Sequence, residues 1–194
     1  MNNFNIEKYC IVKNDNIDVS YIPMLLRRKL SKLDKIVFAI LNNIYDQNID
    51  NIILASEHGE FDRLKEIISQ YQNDNMVSPT KFSSSVHNYS VSAFSQLNKI
   101  TNSYTAISAG KDSLLMGVIT SITQPNTRNC LCYADDIGIG IIFSTIDSGY
   151  TFKSNQYNYN EDFMGFLTGK KNTCQTNFGE FKRLWNLLEL YLLF

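Results

Sequence analysis

The chain has 194 residues, so a single domain is the natural expectation. Its 44% hydrophobic and 19% charged residues are ordinary for a soluble globular protein. A formal net charge of −1 excludes the global basic field on which nucleic-acid binding relies. No apolar run approaches the roughly 20 residues of a membrane span, and the opening MNNFNIEKYC lacks the cationic-then-apolar pattern of a signal peptide. Cys10, Cys130, Cys132 and Cys174 fit neither zinc spacing nor a secreted disulfide frame. They read as free thiols, and the expected location is a reducing cytoplasm.

Asn5–Lys13 carries Ile6, Tyr9, Ile11 and Val12 and suits an opening strand. Over Tyr21–Tyr45 the apolar positions Leu26, Leu30, Leu33, Val37, Ile40 and Ile44 step by three and four, which predicts one long helix with Pro23 in its first turn. Arg27, Arg28, Lys29, Lys32 and Lys35 gather in its first half, as a solvated polar face would. Residues 49–56, IDNIILAS, read as a buried strand, and Glu57-His58-Gly59-Glu60 as the turn after it. Phe61–Tyr71 predicts a helix with Phe61, Leu64, Ile67, Ile68 and Tyr71 on one face. Strand, helix, strand, helix argues an α/β layer with a mostly parallel sheet. Gln72–Val77 reads as a polar linker.

The stretch from Ser78 to Ile122 organises the rest. A polar loop, Ser78–Ser85, feeds an amphipathic helix near Val86–Ile100. A short strand, Tyr104–Ser108, breaks at Ala109-Gly110 into a helix that starts near Lys111, with Asp112 or Ser113 as its cap. A strand that turns at glycine into a helix aims backbone N–H groups or a side chain at whatever lies above the sheet. Leu114, Leu115, Val118, Ile119 and Ile122 are the expected buried face of that helix. Asn129–Ala134 and Ile137–Ile146 read as two further strands, the second antiparallel to its neighbour. Cys130 and Cys132, two apart, share one strand face. Gly138 and Gly140 suggest a close backbone approach or a bulge. Residues 149–177 read as irregular with anchoring aromatics. Residues 178–194 read as a terminal helix, with Phe181, Leu184, Trp185, Leu188, Tyr191 and Leu192 on its apolar face.

Three pieces in order carry a family resemblance: Ser56-Glu57-His58-Gly59-Glu60, the run Ser78-Pro79-Thr80-Lys81-Phe82-Ser83-Ser84-Ser85-Val86-His87-Asn88, and the turn Ser108-Ala109-Gly110-Lys111-Asp112. The chain resembles the N-terminal half of the β-ketoacyl synthases over roughly Ile22–Asp136. It looks most like the short chain-length-factor type found in bacterial clusters for aryl polyenes and related polyketide-like lipids. The resemblance implies a thiolase-like half-fold, a layered mixed sheet flanked by helices, built as one domain over residues 1–194. It also implies that the strand at Tyr104–Ser108 lies at a dimer interface and pairs with its counterpart in the partner.

There is one departure. In an active synthase a cysteine sits at this strand-to-helix turn, where the helix N-terminus lowers its pKa and its thiolate takes the acyl chain. Here the positions are Ala109 and Gly110, so no catalytic residue is expected, and no cofactor or metal. The resemblance implies instead a partner of a β-ketoacyl synthase and of an acidic acyl carrier protein. Phe82, Val86, His87, Asn88, Phe94, Ile107, Ser108 and Met116 are the expected interface or tunnel residues. Arg27, Arg28, Lys29 and Lys32 are the expected carrier-protein landing patch, through charge complementarity. A homodimer remains open for the isolated chain. The competing class is an acyltransferase or thioesterase using Ser84, Ser85 or Ser108 with His58 or His87, for which no G-x-S-x-G elbow is present. Asp135-Asp136 is an acidic pair at a strand end, and turn chemistry accounts for it.

Overall fold

Ser31 decides where the first long helix begins. The apolar period runs straight through it, but the backbone does not follow. A short helix α1 (Met24–Arg27) ends, and α2 (Lys32–Ile44) starts afresh. The reason is a capping box. Asp34 N–H donates to Ser31 Oγ at 3.0 Å, and Ser31 N–H donates to Asp34 Oδ2 at 2.8 Å. These two bonds hold Ser31 in an extended conformation that a continuous helix forbids. The expected Tyr21–Tyr45 helix is therefore two elements, and Arg27, Arg28 and Lys29 lie on the first of them and the connection.

The computed structural model describes residues 2–13, 17–145, 150–154, 172–176 and 179–183. Three parallel strands form one end of the sheet: β2 (Asn51–Ala55), β3 (Ser103–Ile107) and β4 (Arg128–Ala134). β4 folds back through Asp135-Asp136 into antiparallel β5 (Ile137–Ser144), and β1 (Asn2–Lys13) lies antiparallel on the far side of β5. Through Asn2–Phe4, β1 also pairs β6 (Tyr150–Ser154), which continues into β8 (Gly179–Arg183) and β7 (Thr173–Thr176). The order is β3-β2-β4-β5-β1-β6-β8-β7, with β3 at one edge.

Alternation along the central strands sends side chains to two cores. Ile52, Leu54, Cys130 and Cys132 join Ile36, Ile40 and Ile44 of α2 and Val91 and Phe94 of α5 (Tyr89–Asn98). Ile53, Ala55 and Leu131 join Leu115, Val118 and Ile122 of α6 (Ser113–Thr123) on the other face. This is the layered mixed α/β sheet flanked by helices expected from the sequence. Gly138 and Gly140 mark a close approach of α2 to β5. A Cβ at Gly140 would lie 2.4 Å from Ile40 Cγ2 and 2.6 Å from Ile44 Cδ1.

Four local expectations are corrected. Helix α3 runs Phe61–Asp74 and ends on Asn75 with φ +52°, so part of the expected linker is helical. The expected polar loop at Ser78–Ser85 contains a helix, α4 (Pro79–Ser83), with Ser78 capping and Pro79 in the first turn. Helix α5 starts at Tyr89, not Val86. Strand β8 occupies Gly179–Arg183, so the terminal helix expected over 178–194 does not start there, and β6 and β7 fall within the segment expected to be irregular. Residues 149, 155–171, 177–178 and 184–194, within these two expectations, lie outside the described residues.

Candidate functional site

The carboxyl ends of β2, β3 and β4 converge, as the ends of parallel strands do in open α/β sheets. At the end of β3, Ser108 Oγ donates to Glu57 O at 3.1 Å, which ties this turn to the one after β2. Gly110 takes φ +57°, a left-handed conformation that glycine adopts freely. Ser113 closes the turn: its Oγ accepts from Ala109 N–H at 2.9 Å and donates to Gly110 O at 2.7 Å. Asp112 occupies the N-cap position without a side-chain cap bond. Ala109 and Gly110 are exposed at the mouth of this turn, in front of α6, and neither side chain carries a nucleophilic atom.

Asp135, at the end of β4, holds the turn after β2. Its Oδ1 accepts from Ser56 Oγ at 2.8 Å and its Oδ2 from Glu57 N–H at 2.9 Å. His58 N–H reaches Oδ1 at 3.3 Å, and His58 Nδ1 lies 3.7 Å from it. Ser56 Oγ in turn accepts from Gly59 N–H at 2.8 Å. Asp135 is thus occupied by backbone and hydroxyl donors, which is the turn role expected of the acidic pair. Gly59 has φ +54° and leaves room for His87. A Cβ there would sit 2.3 Å from His87 Nδ1. Burial pushes the His87 imidazole below its ordinary pKa, against the opposing pull of the Ile107 backbone and Asp135.

A buried ionic cluster lies directly after this turn. Arg63 on α3 donates through Nη2 to Asp34 Oδ2 at 2.7 Å, and its Nε lies 3.0 Å from Glu60 Oε2. Its Nη1 donates to Ser84 O at 2.7 Å, and Nη2 also reaches Lys29 O. Its guanidinium stands 5.2 Å from the centre of the Tyr89 ring. One side chain therefore joins the α1–α2 connection, α2, the start of α3, the end of α4 and the start of α5. Asp34 is fully buried and Glu60 nearly so. Burial raises both carboxyls, and the Asp34 charge adds to it at Glu60, which is pushed up to about 7.

The other sequence-predicted residues are scattered. Phe82 and Val86 are exposed, at 63% and 45%. Ile107 is half-buried at the end of β3, and Met116 is half-buried on α6. Phe94, expected at an interface or tunnel, belongs instead to the core: its ring lies 5.3 Å from that of Phe38 and 6.3 Å from that of Tyr45. Asn88 precedes α5 without a side-chain cap bond. The three hydroxyls expected as nucleophiles all donate to backbone carbonyls: Ser84 to Lys81, Ser85 to Phe82, and Ser108 to Glu57. Among the described residues, none is hydrogen-bonded to a histidine. Arg28 and Lys29 line a cavity of 260 Å³ with Arg63, Glu66, Thr80, Lys81 and Ser84. Lys81 was absent from the expected patch. The apolar face of α3 turns outward: of its five residues only Ile67 is buried, while Phe61, Leu64, Ile68 and Tyr71 are 42–56% exposed.

The family model of the β-ketoacyl synthase N-terminal domain matches residues 4–144. The chain belongs to that family. Among solved structures it is similar to a chain of a ketosynthase (ApeO) in complex with its chain length factor (ApeC) from Xenorhabdus doucetiae, with a TM-score of 0.68 at 16% identity. The match covers 92% of this chain and 98% of that one. At that identity the likeness is one of fold: the thiolase-like ketosynthase architecture. No curated protein matches the sequence. Among the described residues of this synthase-family chain, no helix is long and apolar enough to cross a membrane.

Proposed function

We propose that this β-ketoacyl synthase-family chain is a non-catalytic, chain-length-factor-like partner of an active β-ketoacyl synthase. It serves the biosynthesis of aryl polyenes or related polyketide-like and fatty acyl products in the cytoplasm. The observation that carries the reading is the turn at Ala109-Gly110. It keeps the strand–glycine–helix geometry of a condensing site, and neither position 109 nor position 110 carries a sulfur or hydroxyl to accept an acyl group. Two surface features support a partner. β3 is an edge strand with an exposed first half, a template for pairing with another chain. The outward Phe61, Leu64, Ile68 and Tyr71, with Phe82 and Val86, expose more large apolar side chains than scattered surface residues do.

In the heterodimer, Phe82, Val86, Ile107, Ser108 and Met116, with His87 and Asn88 behind them, stand at or beside the shared wall of the acyl tunnel. Side-chain bulk there limits how far the chain grows. An acidic acyl carrier protein docks on Arg27, Arg28, Lys29 and Lys32, extended by Lys81 across the cavity between them. The test is co-expression with a synthase encoded nearby. A 1:1 complex that dissolves with Leu64→Asp and Ile68→Asp supports the reading. A chain that stays monomeric, and by itself hydrolyses an acyl thioester, refutes it.

A further inference from the structure

Two buried carboxyls face a single arginine in this fold, which is one positive charge short of what two carboxylates require. Ser31 Oγ donates to Glu60 Oε1 at 2.8 Å, and Arg63 Nε lies against Oε2. Asp34 Oδ2 takes Arg63 Nη2 and Ser31 N–H. Asp34 Oδ1 is buried and has no hydrogen-bond partner among the described residues. Burial, and after it the Asp34 charge, push the Glu60 carboxyl up to about 7, so Glu60 carries a proton below neutral pH. A proton on Glu60 therefore leaves one carboxylate to one guanidinium.

The geometry points to a proton-operated clasp: one proton held on Glu60 beside Asp34 keeps Arg63 closed over Lys29, Ser84 and Tyr89, and its loss loosens α3 and α4 from α2. The deprotonated cluster holds two buried negative charges against one positive charge, and the repulsion falls on Glu60, the residue from which α3 departs. The same residue follows Gly59, so the turn that seats His87 is adjacent to the part that loosens.

The charged and titratable groups around the cluster are few. Arg28, Lys29, Glu66 and Lys81 line the cavity beside Arg63. Tyr89 faces it from α5. Lys32, Asp62 and His58 interact around the start of α3, and Asp135 faces His58. His58 and His87 are the imidazoles to be separated from the effect.

The test is hydrogen exchange on the full chain at pH 6 and pH 8, corrected for intrinsic rates. With Glu60 at about 7 in the closed form and an ordinary glutamate when open, linkage predicts about tenfold less protection at pH 8 for amides of residues 61–85. Glu60→Gln, which carries no charge and keeps an acceptor for Ser31, abolishes the difference, while His58→Gln retains it. Protection equal at both pH values overturns the clasp, and so does an unchanged difference in Glu60→Gln. Should Glu60→Gln not fold, carboxyl ¹³C titration of the native chain decides. A Glu60 midpoint near 7 supports the clasp, and one in the ordinary carboxylate range overturns it.

Discussion

Removing the Arg63 guanidinium separates this account from one in which the ionic cluster is incidental. Arg63→Ala leaves Asp34 with no counter-charge at 0% exposure, and Glu60 likewise at 5%. It also strips the Lys29 and Ser84 carbonyls of their donor. Taking one partner from a buried pair costs about 3–5 kcal/mol. The carboxyls can limit that loss by taking protons, and losing Arg63 raises both further, because its charge is what pulls them down. The sign follows. A carboxyl whose pKa is raised on folding contributes stability at low pH that disappears as pH rises through its folded value. The Arg63→Ala deficit is therefore about 2 kcal/mol at pH 5.5, where the protons are in place, and about 4 kcal/mol at pH 8. Urea unfolding of both proteins at the two pH values reads it directly. A deficit below about 1 kcal/mol, or one equal at both pH values, would show that the cluster does not join the five segments energetically.

Gly140→Ala should cost about 2 kcal/mol, because its Cβ falls within 2.9 Å of Cys10 Sγ and closer still to Ile40 and Ile44, and denaturant midpoints check it. Ala109→Cys should give no condensing activity in the chain by itself, since a thiol at the turn supplies none of the groups that assist condensation. Product detected from carrier-bound acyl and malonyl groups refutes this. Charge reversal at Arg27 and Arg28 together should weaken carrier-protein binding at least about tenfold at low salt, with the difference shrinking as salt rises. Unchanged affinity in a titration dismisses the patch.

Strands β2 and β4 are legible because each buries both of its faces. IDNIILAS and NCLCYA have nowhere to sit but a sheet interior, and Cys130 and Cys132 fall together as a period of two demands. What the periodicity conceals is direction. The face of α3 is as regular as that of α2, yet only α2 turns its face to the sheet, because Gly138 and Gly140 clear the space beneath it. Pattern alone does not say whether an apolar stripe meets this chain's core or another molecule. The break at Ser31 is visible only as a cap signal competing with an uninterrupted apolar period, and the cap prevails by two hydrogen bonds. Arg63 is silent in the sequence because, Glu60 apart, its polar partners lie 21, 29 and 34 residues away. Gly179–Arg183 has helical spacing after it but is held as a strand by ladders on both sides, to β6 and to β7. The turn at Ala109-Gly110, by contrast, is legible as a strand, a glycine turn and a helix, although the helix starts at Ser113 rather than near Lys111 and Asp112 makes no side-chain cap bond.

The most direct measurement is intact-protein mass spectrometry of this chain together with its synthase during turnover on carrier-bound acyl and malonyl substrates. The account predicts acyl mass on the synthase and the carrier protein and none on this chain, in a 1:1 complex. An acyl adduct on this chain, at any residue and in proportion to turnover, would contradict it.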